Sequence, residues 1–256
     1  MNLRAFGSPE IAVSPLGWGT VKVGRNHLVK NKCADGFSLP TDKEVEDALD
    51  VLLENGVNLI DTAPAYGISE ERLGKLIGSR RSKFFISTKV GEVFDGSSSH
   101  YDFSAAAIQL SVENSLRKLN TDVLDSLLLH CPRSDLPVVS DPEVMRVLID
   151  LKSQGKVRYT GASVHTVEGG LATLENFDIV MLPFNKGFQL MRPVIEAARQ
   201  KNAGVFVIKG LQQGAVGENP NDLIKFVLDE PGVSSLIFGS INIDNIKSNL
   251  QVLKAL

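Results

Sequence analysis

Four ionisable residues stand at or just after the ends of short apolar runs, where together they could act on a carbonyl group. In GVNLIDTAPAYGISEERLG, residues 56–74, an apolar run ends at Asp61 and Tyr66 follows five residues later. Lys89 ends a second apolar run and His130 a third. A tyrosine can protonate an oxygen that gains negative charge, and a neighbouring ammonium lowers the phenol pKa from about 10. An aspartate can hold that ammonium, and a histidine can orient a carbonyl or shuttle a proton. None of the four supplies a hydride, so a nicotinamide cofactor is implied.

The elements that must position these residues alternate along the chain. Short runs rich in Val, Ile, Leu and Phe, mostly without polar alternation, are typical of parallel strands covered on both faces. We expect such strands at residues 13–20, 58–61, 83–89, 125–130, 157–163, 177–182, 204–209 and 234–239. An amphipathic helical stretch follows each one. The first, residues 41–56, has Thr41 and Glu44 in capping-box spacing and ends at Gly56.

Eight such units over 256 residues predict a closed (β/α)₈ TIM barrel, whose active site lies at the carboxyl ends of the strands. An open doubly wound sheet is the main alternative, but the chain has no Gly-rich dinucleotide turn after a strand. The first residues predict a β-hairpin that closes the bottom of the barrel, and residues 21–40 predict a long first loop. Residues 1–256 are expected to form a single domain.

Composition excludes several classes of partner. With 27 Lys+Arg and 30 Asp+Glu, the net charge of −3 gives no reason to expect nucleic acid or an anionic membrane as partner. No apolar run is long enough to cross a bilayer, and the start of the chain lacks the apolar core of a secretion signal. Cys33 and Cys131 have no metal spacing and are expected to be free thiols. We therefore expect a cytoplasmic protein with a small-molecule carbonyl or alcohol substrate; the oligomeric state stays open.

Three linked motifs resemble those of the aldo-keto reductase family. Residues 56–74 resemble the signature around its aspartate and tyrosine, and FFISTKV (84–90) resembles the strand that carries its lysine. SVENSLRKLNTDVLDSLLLHCP (111–132) resembles the helix and strand that deliver its histidine. The resemblance covers nearly the whole chain and implies the catalytic tetrad Asp61, Tyr66, Lys89 and His130. It also implies NADPH as the usual cofactor, bound in an extended form, and a tyrosine general acid.

The same resemblance implies a set of cofactor contacts. GWGT (17–20) resembles the segment that places a threonine near the nicotinamide ribose, and GASVHT (161–166) resembles the segment that binds the carboxamide. VIKGLQQG (207–214) and FGSINIDNIKSNL (238–250) resemble the segments that hold the diphosphate and the adenosine end. The implied cofactor residues are Thr20, Asp61, Ser163, Asn185, Lys209, Gly210, Leu211, Gly239, Ser240, Asn245 and Asn249.

Three positions depart from the family pattern. Val164 stands where an asparagine is usual, Met181 where a glutamine is usual, and Asn245 where NADPH-preferring members often carry an arginine. A neutral Asn245 cannot make a bidentate charged contact with a 2′-phosphate, so NADH is a possible cofactor beside NADPH.

The pocket that receives the substrate is expected to be open and shallow, because the segments after the seventh strand and the eighth helix are short. Its specificity should come from loops 21–40 and 91–103 and from the C-terminus, with Phe94, Tyr101 and Phe103 as one wall.

Two other kinds of function remain alternatives. The barrel could be a nucleotide-sensing binding protein, or a lyase or isomerase that uses Lys89 as a Schiff-base amine. Taken singly, Asp61 could be a helix cap, Tyr66 a packing residue and His130 a structural histidine. His165 is expected to be a loop residue and Trp18 to fill the barrel core.

Overall fold

The computed structural model describes residues 2–27, 37–212 and 218–254. Its strands are β1 (Arg4–Phe6), β2 (Ser8–Val13), β3 (Leu16–Gly19), β4 (Leu59–Asp61), β5 (Phe85–Val90), β6 (Glu92–Phe94), β7 (Ser99–Tyr101), β8 (Leu124–His130), β9 (Val157–Ser163), β10 (Ile179–Pro183), β11 (Gly204–Ile208) and β12 (Ser235–Phe238). Its helices are α1 (Val21–Gly24), α2 (Asp42–Glu54), α3 (Ser69–Ile77), α4 (Ala105–Lys118), α5 (Leu136–Val139), α6 (Pro142–Ser153), α7 (Val167–Asn176), α8 (Arg192–Gln200), α9 (Pro220–Leu228) and α10 (Ile243–Gln251).

Eight strands form the closed parallel barrel that the sequence predicts. Their order around the barrel is β3, β4, β5, β8, β9, β10, β11 and β12, and β12 pairs with β3 to close the ring. Asp61 lies in register between Gly19 of β3 and Ser87 of β5. His130 lies in register with Ser163 of β9. The parallel register therefore delivers the carboxyl ends of these strands to one rim.

Local sequence signals explain where the helices begin. The side chain of Thr41 accepts a hydrogen bond from the N–H of Glu44, whose carboxylate accepts one from the N–H of Thr41, so the expected capping box is formed. Ser104 caps α4 and Asp141 caps α6 in the same way, through side-chain oxygens that accept backbone N–H groups. These caps satisfy N–H groups that the helix itself leaves without partners.

The bottom of the barrel is closed by the hairpin of β1 and β2, as the opening residues predict. The ring of Phe6 meets those of Phe85, Tyr159 and Phe206 edge to face, with centroids 5.8–6.4 Å apart. Phe6 thereby belongs to the cluster inside the barrel, which also contains Met181.

Trp18 does not fill the barrel interior as expected. It belongs to the larger cluster between strands and helices, and its indole N–H donates to the carbonyl of Ser240 at 2.8 Å. Neighbouring residues of a strand face opposite sides of the sheet, and a strand that is apolar on both faces does not reveal which side is which.

Two short elements occupy segments that read as loops in the sequence. Helix α1 follows the first strand directly, within the expected loop 21–40, of which residues 28–36, including Cys33, lie outside the described residues. An antiparallel hairpin of β6 and β7 rises from the rim after β5, and Glu92 pairs with Tyr101 at its base. The Asp95-Gly96 dipeptide at its turn was the available signal for this hairpin.

Within the described residues, no helix has the length and apolar character needed to span a membrane.

Candidate active site

The ends of β4, β5 and β8 bring Asp61, Lys89 and His130 together, and a 3₁₀ turn over Pro64–Tyr66 returns the tyrosine to the same rim. The ammonium of Lys89 lies 2.5 Å from Oδ1 of Asp61 and donates to the carbonyl of Thr62 at 2.9 Å. The same ammonium lies 4.8 Å from the centroid of the Tyr66 ring. The Tyr66 ring stands edge-on to that of His130, with centroids 6.1 Å apart. All four predicted tetrad residues therefore occupy one site.

A close contact between backbones holds the Tyr66 turn in place. The N–H of Ile68 donates to the carbonyl of Gly24 at the end of α1. A Cβ on Gly24 would lie 2.3 Å from the carbonyl oxygen of Tyr66, and one on Gly67 would lie 2.3 Å from the carbonyl oxygen of Gly24. Gly67 also has φ +63°, which favours glycine. The two glycines thus let α1 support the turn that carries the tyrosine.

Lys89 is buried as a cation. Its side chain is 1% exposed, and burial alone would lower its pKa; attraction to Asp61 and Tyr66 is stronger in sum and raises the pKa. Burial raises the pKa of the Asp61 carboxyl, an effect that Lys89 opposes. Each charge of this ion pair therefore offsets the cost of burying the other.

Two opposing effects set the pKa of Tyr66. Burial raises it above its usual value of about 10, and Lys89 only partly offsets that effect. Lys89 thus lowers the pKa of Tyr66 as expected, but burial outweighs that effect. Tyr66 is held as a neutral phenol, which keeps its proton available for donation.

Two charged residues near the tetrad were not singled out from the sequence. Oε2 of Glu92 lies 3.0 Å from Nδ1 of His130. The guanidinium of Arg25 lies 3.5 Å from the centroid of the Phe94 ring, and its Nη1 donates to the carbonyl of Ala65 next to the tyrosine. Arg25, which follows α1, therefore links the Tyr66 turn to the β6–β7 hairpin. No motif spacing pointed to either residue, because both lie in segments that were expected to be irregular.

A cleft of about 680 Å³ opens over the tetrad and runs towards β11, β12 and α10. Its volume lies within the range of about 300–1,000 Å³ that is usual for cofactor and ligand sites. Tyr66, Asp61 and His130 line the cleft, whereas Lys89 lies behind them. The predicted cofactor residues that line it are Thr20, Asp61, Ser163, Lys209, Gly210, Leu211, Gly239, Ser240, Asn245 and Asn249.

Asn185 is not brought into this cleft. Its amide nitrogen donates to the carbonyl of Lys209, and its oxygen accepts from the N–H of Gly187. Asn185 therefore supports the turn at Lys209 and is not placed to contact a cofactor in the cleft.

The positions that depart from the family pattern fall into two groups. Val164 and Met181 are buried in the two apolar clusters and do not line the cleft, so neither supplies a hydrogen bond there. Asn245 does line it, near the start of α10. Of these three positions, Asn245 is therefore the one whose side chain can contact a ligand in the cleft.

The far end of the cleft has features that suit a phosphate group. Lys209 has φ +59°, a left-handed conformation that is costly for a residue other than glycine and that recurs at functional sites. Gly239 has no side chain, and the nearest atom to a Cβ added there would be 3.8 Å away, so its backbone is open to a ligand. The side chain of Asn242 accepts the N–H groups of Asp244 and Asn245, so the start of α10 is already capped. Of these features, Lys209 and the open backbone at Gly239 best suit the phosphates of an extended dinucleotide.

The expected aromatic wall is only partly present. Tyr101 lines the cleft, but Phe94 lies against Arg25, and the Phe103 ring fills the space beside Gly91, within 2.0 Å of where a Cβ would lie. Gly91 has φ +105°, and its turn starts the β6–β7 hairpin. Phe103 therefore shapes the base of the hairpin rather than the cleft.

Two further residues at the rim have little capacity for chemistry. The thiol of Cys131 is free and buried, and burial raises its pKa, so it stays protonated and unreactive. Burial lowers the pKa of His165, which lines the cleft as a neutral imidazole. The backbone N–H of His165 donates to the carboxylate of Asp135, as suits a loop residue with a structural role.

Comparison with known proteins gives consistent results. A family model described as the aldo/keto reductase family matches residues 15–223. A solved structure of a Pseudomonas aeruginosa protein described as an aldo-keto reductase is 40% identical, covers 98% of this chain and 93% of its own, and has a TM-score of 0.89. The oxidoreductase YqkF of Bacillus subtilis is 25% identical over all of this chain and 92% of its own length. The NADH-specific methylglyoxal reductase of Escherichia coli is 30% identical over 64% of this chain and 52% of its own. Matches to several curated relatives span about half of those proteins.

Proposed function

Because the chain belongs to the aldo/keto reductase family of oxidoreductases, we propose that it reduces an aldehyde or ketone to an alcohol, or runs the reverse reaction, with Tyr66 as general acid. The observation that carries this proposal is the contact of one buried cation, Lys89, with both Asp61 and Tyr66 at the wall of the cleft. That arrangement keeps a neutral phenol beside a permanent positive charge, which suits delivery of a proton to an oxygen that becomes negative.

Aldo-keto reductases use nicotinamide cofactors, and a bound reduced nicotinamide supplies the hydride. Thr20 and Ser163 would hold its inner end, and Lys209 and Gly239 its diphosphate. Tyr66 gives its hydroxyl proton to the substrate oxygen, and Lys89 stabilises the phenolate that remains. Asp61 keeps Lys89 charged and in place. In the reverse direction the phenolate takes the proton back from the alcohol.

The two alternative functions have less support. A Schiff base at Lys89 needs an accessible neutral amine, but this side chain is buried, does not line the cleft and has a raised pKa. A binding protein without chemistry would not need a complete tetrad. Borohydride trapping of a substrate on Lys89 would favour the lyase or isomerase function.

We expect the protein to oxidise NADPH in the presence of an aldehyde or ketone. The measurement is the loss of absorbance of the reduced nicotinamide, with a panel of aldehydes and ketones and with NADPH and NADH in parallel. Binding of either cofactor without turnover of any carbonyl would support a nucleotide-sensing function instead.

NADPH is the proposed cofactor, with NADH as the alternative that neutral Asn245 leaves open. The related E. coli enzyme is named as specific for NADH. Asn245→Arg should raise the ratio of kcat/KM for NADPH to that for NADH about tenfold, because a guanidinium can bind the 2′-phosphate at two points. Gln251→Arg, at the far end of α10 on an exposed position, is the control for added charge. An unchanged ratio in Asn245→Arg would show that this residue does not face the adenosine ribose.

A further inference from the structure

Glu92 is a charged residue beside the tetrad that the proposed mechanism does not use. Only Val90 and Gly91 separate it from Lys89, and the turn at Gly91 carries it from β5 into the hairpin above the cleft. Its side chain is 9% exposed and that of His130 is 19% exposed, so their contact is largely shielded from water. Both side chains line the cleft.

The contact involves one specific nitrogen of His130. Nδ1 is buried and lies 3.0 Å from Oε2 of Glu92, an ion-pair distance. No hydrogen bond to Nδ1 is formed in the described part of the chain, so the approach of the carboxylate is not yet aligned with the ring N–H. Catalytic hydrogen bonds are often poorly aligned without ligands and tighten when the substrate binds. Glu92 is placed to complete such a bond.

The chemistry of a carboxylate determines which form of the ring it selects. An ionised carboxylate only accepts hydrogen bonds, so a bond to Nδ1 requires the proton on that nitrogen. The neutral ring then has a bare Nε2, which accepts a hydrogen bond from an alcohol. With the first proton on Nδ1, Nε2 can donate to a carbonyl oxygen only when the ring carries a second proton.

We propose that Glu92 is a positioning residue that fixes a proton on Nδ1 of His130, so that Nε2 meets the substrate oxygen as an imidazolium donor during reduction. This inference rests on the proposed carbonyl chemistry. Reduction by the wild-type enzyme should then require a proton on Nε2 as well as the proton on Nδ1.

Other charged and titratable groups face the same pair. Those near His130 are Asp61, Tyr66 and His165; those near Glu92 are Arg25, Tyr66 and Tyr101. Arg25 favours the ionised form of Glu92, because opposite charges stabilise one another. The surroundings therefore support a carboxylate beside a ring with its proton on Nδ1.

Nitrogen-15 NMR tests the position of the proton without any substrate. Above the pH at which the ring becomes neutral, wild-type His130 should show a protonated Nδ1 and a bare Nε2. Glu92→Gln should show a substantial Nε2–H population, because the amide can donate to Nδ1. The spectrum of His130→Gln assigns the signal among the four histidines. A neutral wild-type ring with its proton on Nε2 would overturn the proposal, whether or not the protein reduces carbonyls.

The pH profile of reduction tests the consequence. In Glu92→Gln, kcat/KM at pH 7 should fall about three- to tenfold, but its alkaline decline should move to higher pH, because a neutral ring can now donate from Nε2. A shift to lower pH would mean that Glu92 acts only as a charge, and an unchanged profile would mean that it does not act on His130; either result overturns the proposal. Glu113→Gln, an exposed ion-pair carboxylate on α4, is the control for loss of one negative charge.

Discussion

Tyr66→Phe should lower kcat for carbonyl reduction by about 10²–10⁴-fold, the usual contribution of a general acid. Phenylalanine keeps the ring that packs edge-on against His130 and beneath the Lys89 ammonium, but it has no proton to give. Affinity for NADPH should change little, because the loss is confined to the transition state. Fluorescence titration of the cofactor and steady-state kinetics measure the two quantities separately.

The matched control for Tyr66→Phe is Tyr159→Phe, which removes a hydroxyl at the opposite end of the barrel, where Tyr159 stacks on Phe85. Its kcat should stay close to that of the wild type. If Tyr66→Phe also kept the wild-type kcat with a good substrate, another group would have to be the proton donor.

Lys89→Met should abolish most activity and also destabilise the fold. The variant leaves the Asp61 carboxyl, 4% exposed, without its cation, and breaking a buried ion pair in this way costs about 3–5 kcal/mol. Urea unfolding followed by circular dichroism measures the loss of stability, and steady-state kinetics measures the loss of turnover.

The loss of stability in Lys89→Met should depend on pH in a definite direction. Without Lys89, burial raises the pKa of Asp61 in the folded state further above its unfolded value. A raised pKa in the folded state makes ionisation oppose folding, so the destabilisation of Lys89→Met should be small below about pH 4 and grow as the pH rises. Stability that did not depend on pH in this variant would indicate that Asp61 reaches water or another cation.

A second substitution separates stability from catalysis. Lys89→Met combined with Asp61→Asn removes the buried charge and should recover part of the lost free energy of unfolding, since a neutral amide costs less to bury. Turnover should not recover, because Tyr66 still lacks the cation that stabilises its phenolate. Recovery of both would mean that Lys89 has a structural role only.

The tetrad could be predicted from the sequence because each member sits at a strand end or in the turn that follows. In a parallel barrel those ends share one rim, so the distance along the chain between Asp61 and His130 is no obstacle. Continuous apolar runs were sufficient to place the strands, and the capping box at Thr41 marked the start of α2. Helix α1 could not be predicted in this way, because four residues are too few to show a helical pattern of apolar residues.

Contacts that depend on side-chain direction and burial could not be predicted in this way. Nothing in the sequence shows that Trp18 faces the helices or that Val164 and Met181 are turned away from the cleft, because strands that are apolar on both faces have no alternation. The net pKa of Tyr66 depends on the depth of burial against one nearby cation, which only three-dimensional distances give. Glu92 reaches His130 through a hairpin that looked like an irregular loop.

The base of this hairpin also has an evolutionary consequence. The N–H of Asp102 donates to the carbonyl of Gly91 at 2.9 Å, so the hairpin leaves the barrel and returns to it at a single point. Its tip, Asp95–Ser98, is held by the carboxylate of Asp95, and a contact outside the hairpin joins the carbonyl of Gly96 to Nε2 of His27. Lengthening or exchanging the tip would add little loop-closure entropy and would leave the path from β5 to α4 unchanged. The tip can thus vary in length and sequence while Lys89, a few residues before it, keeps its place.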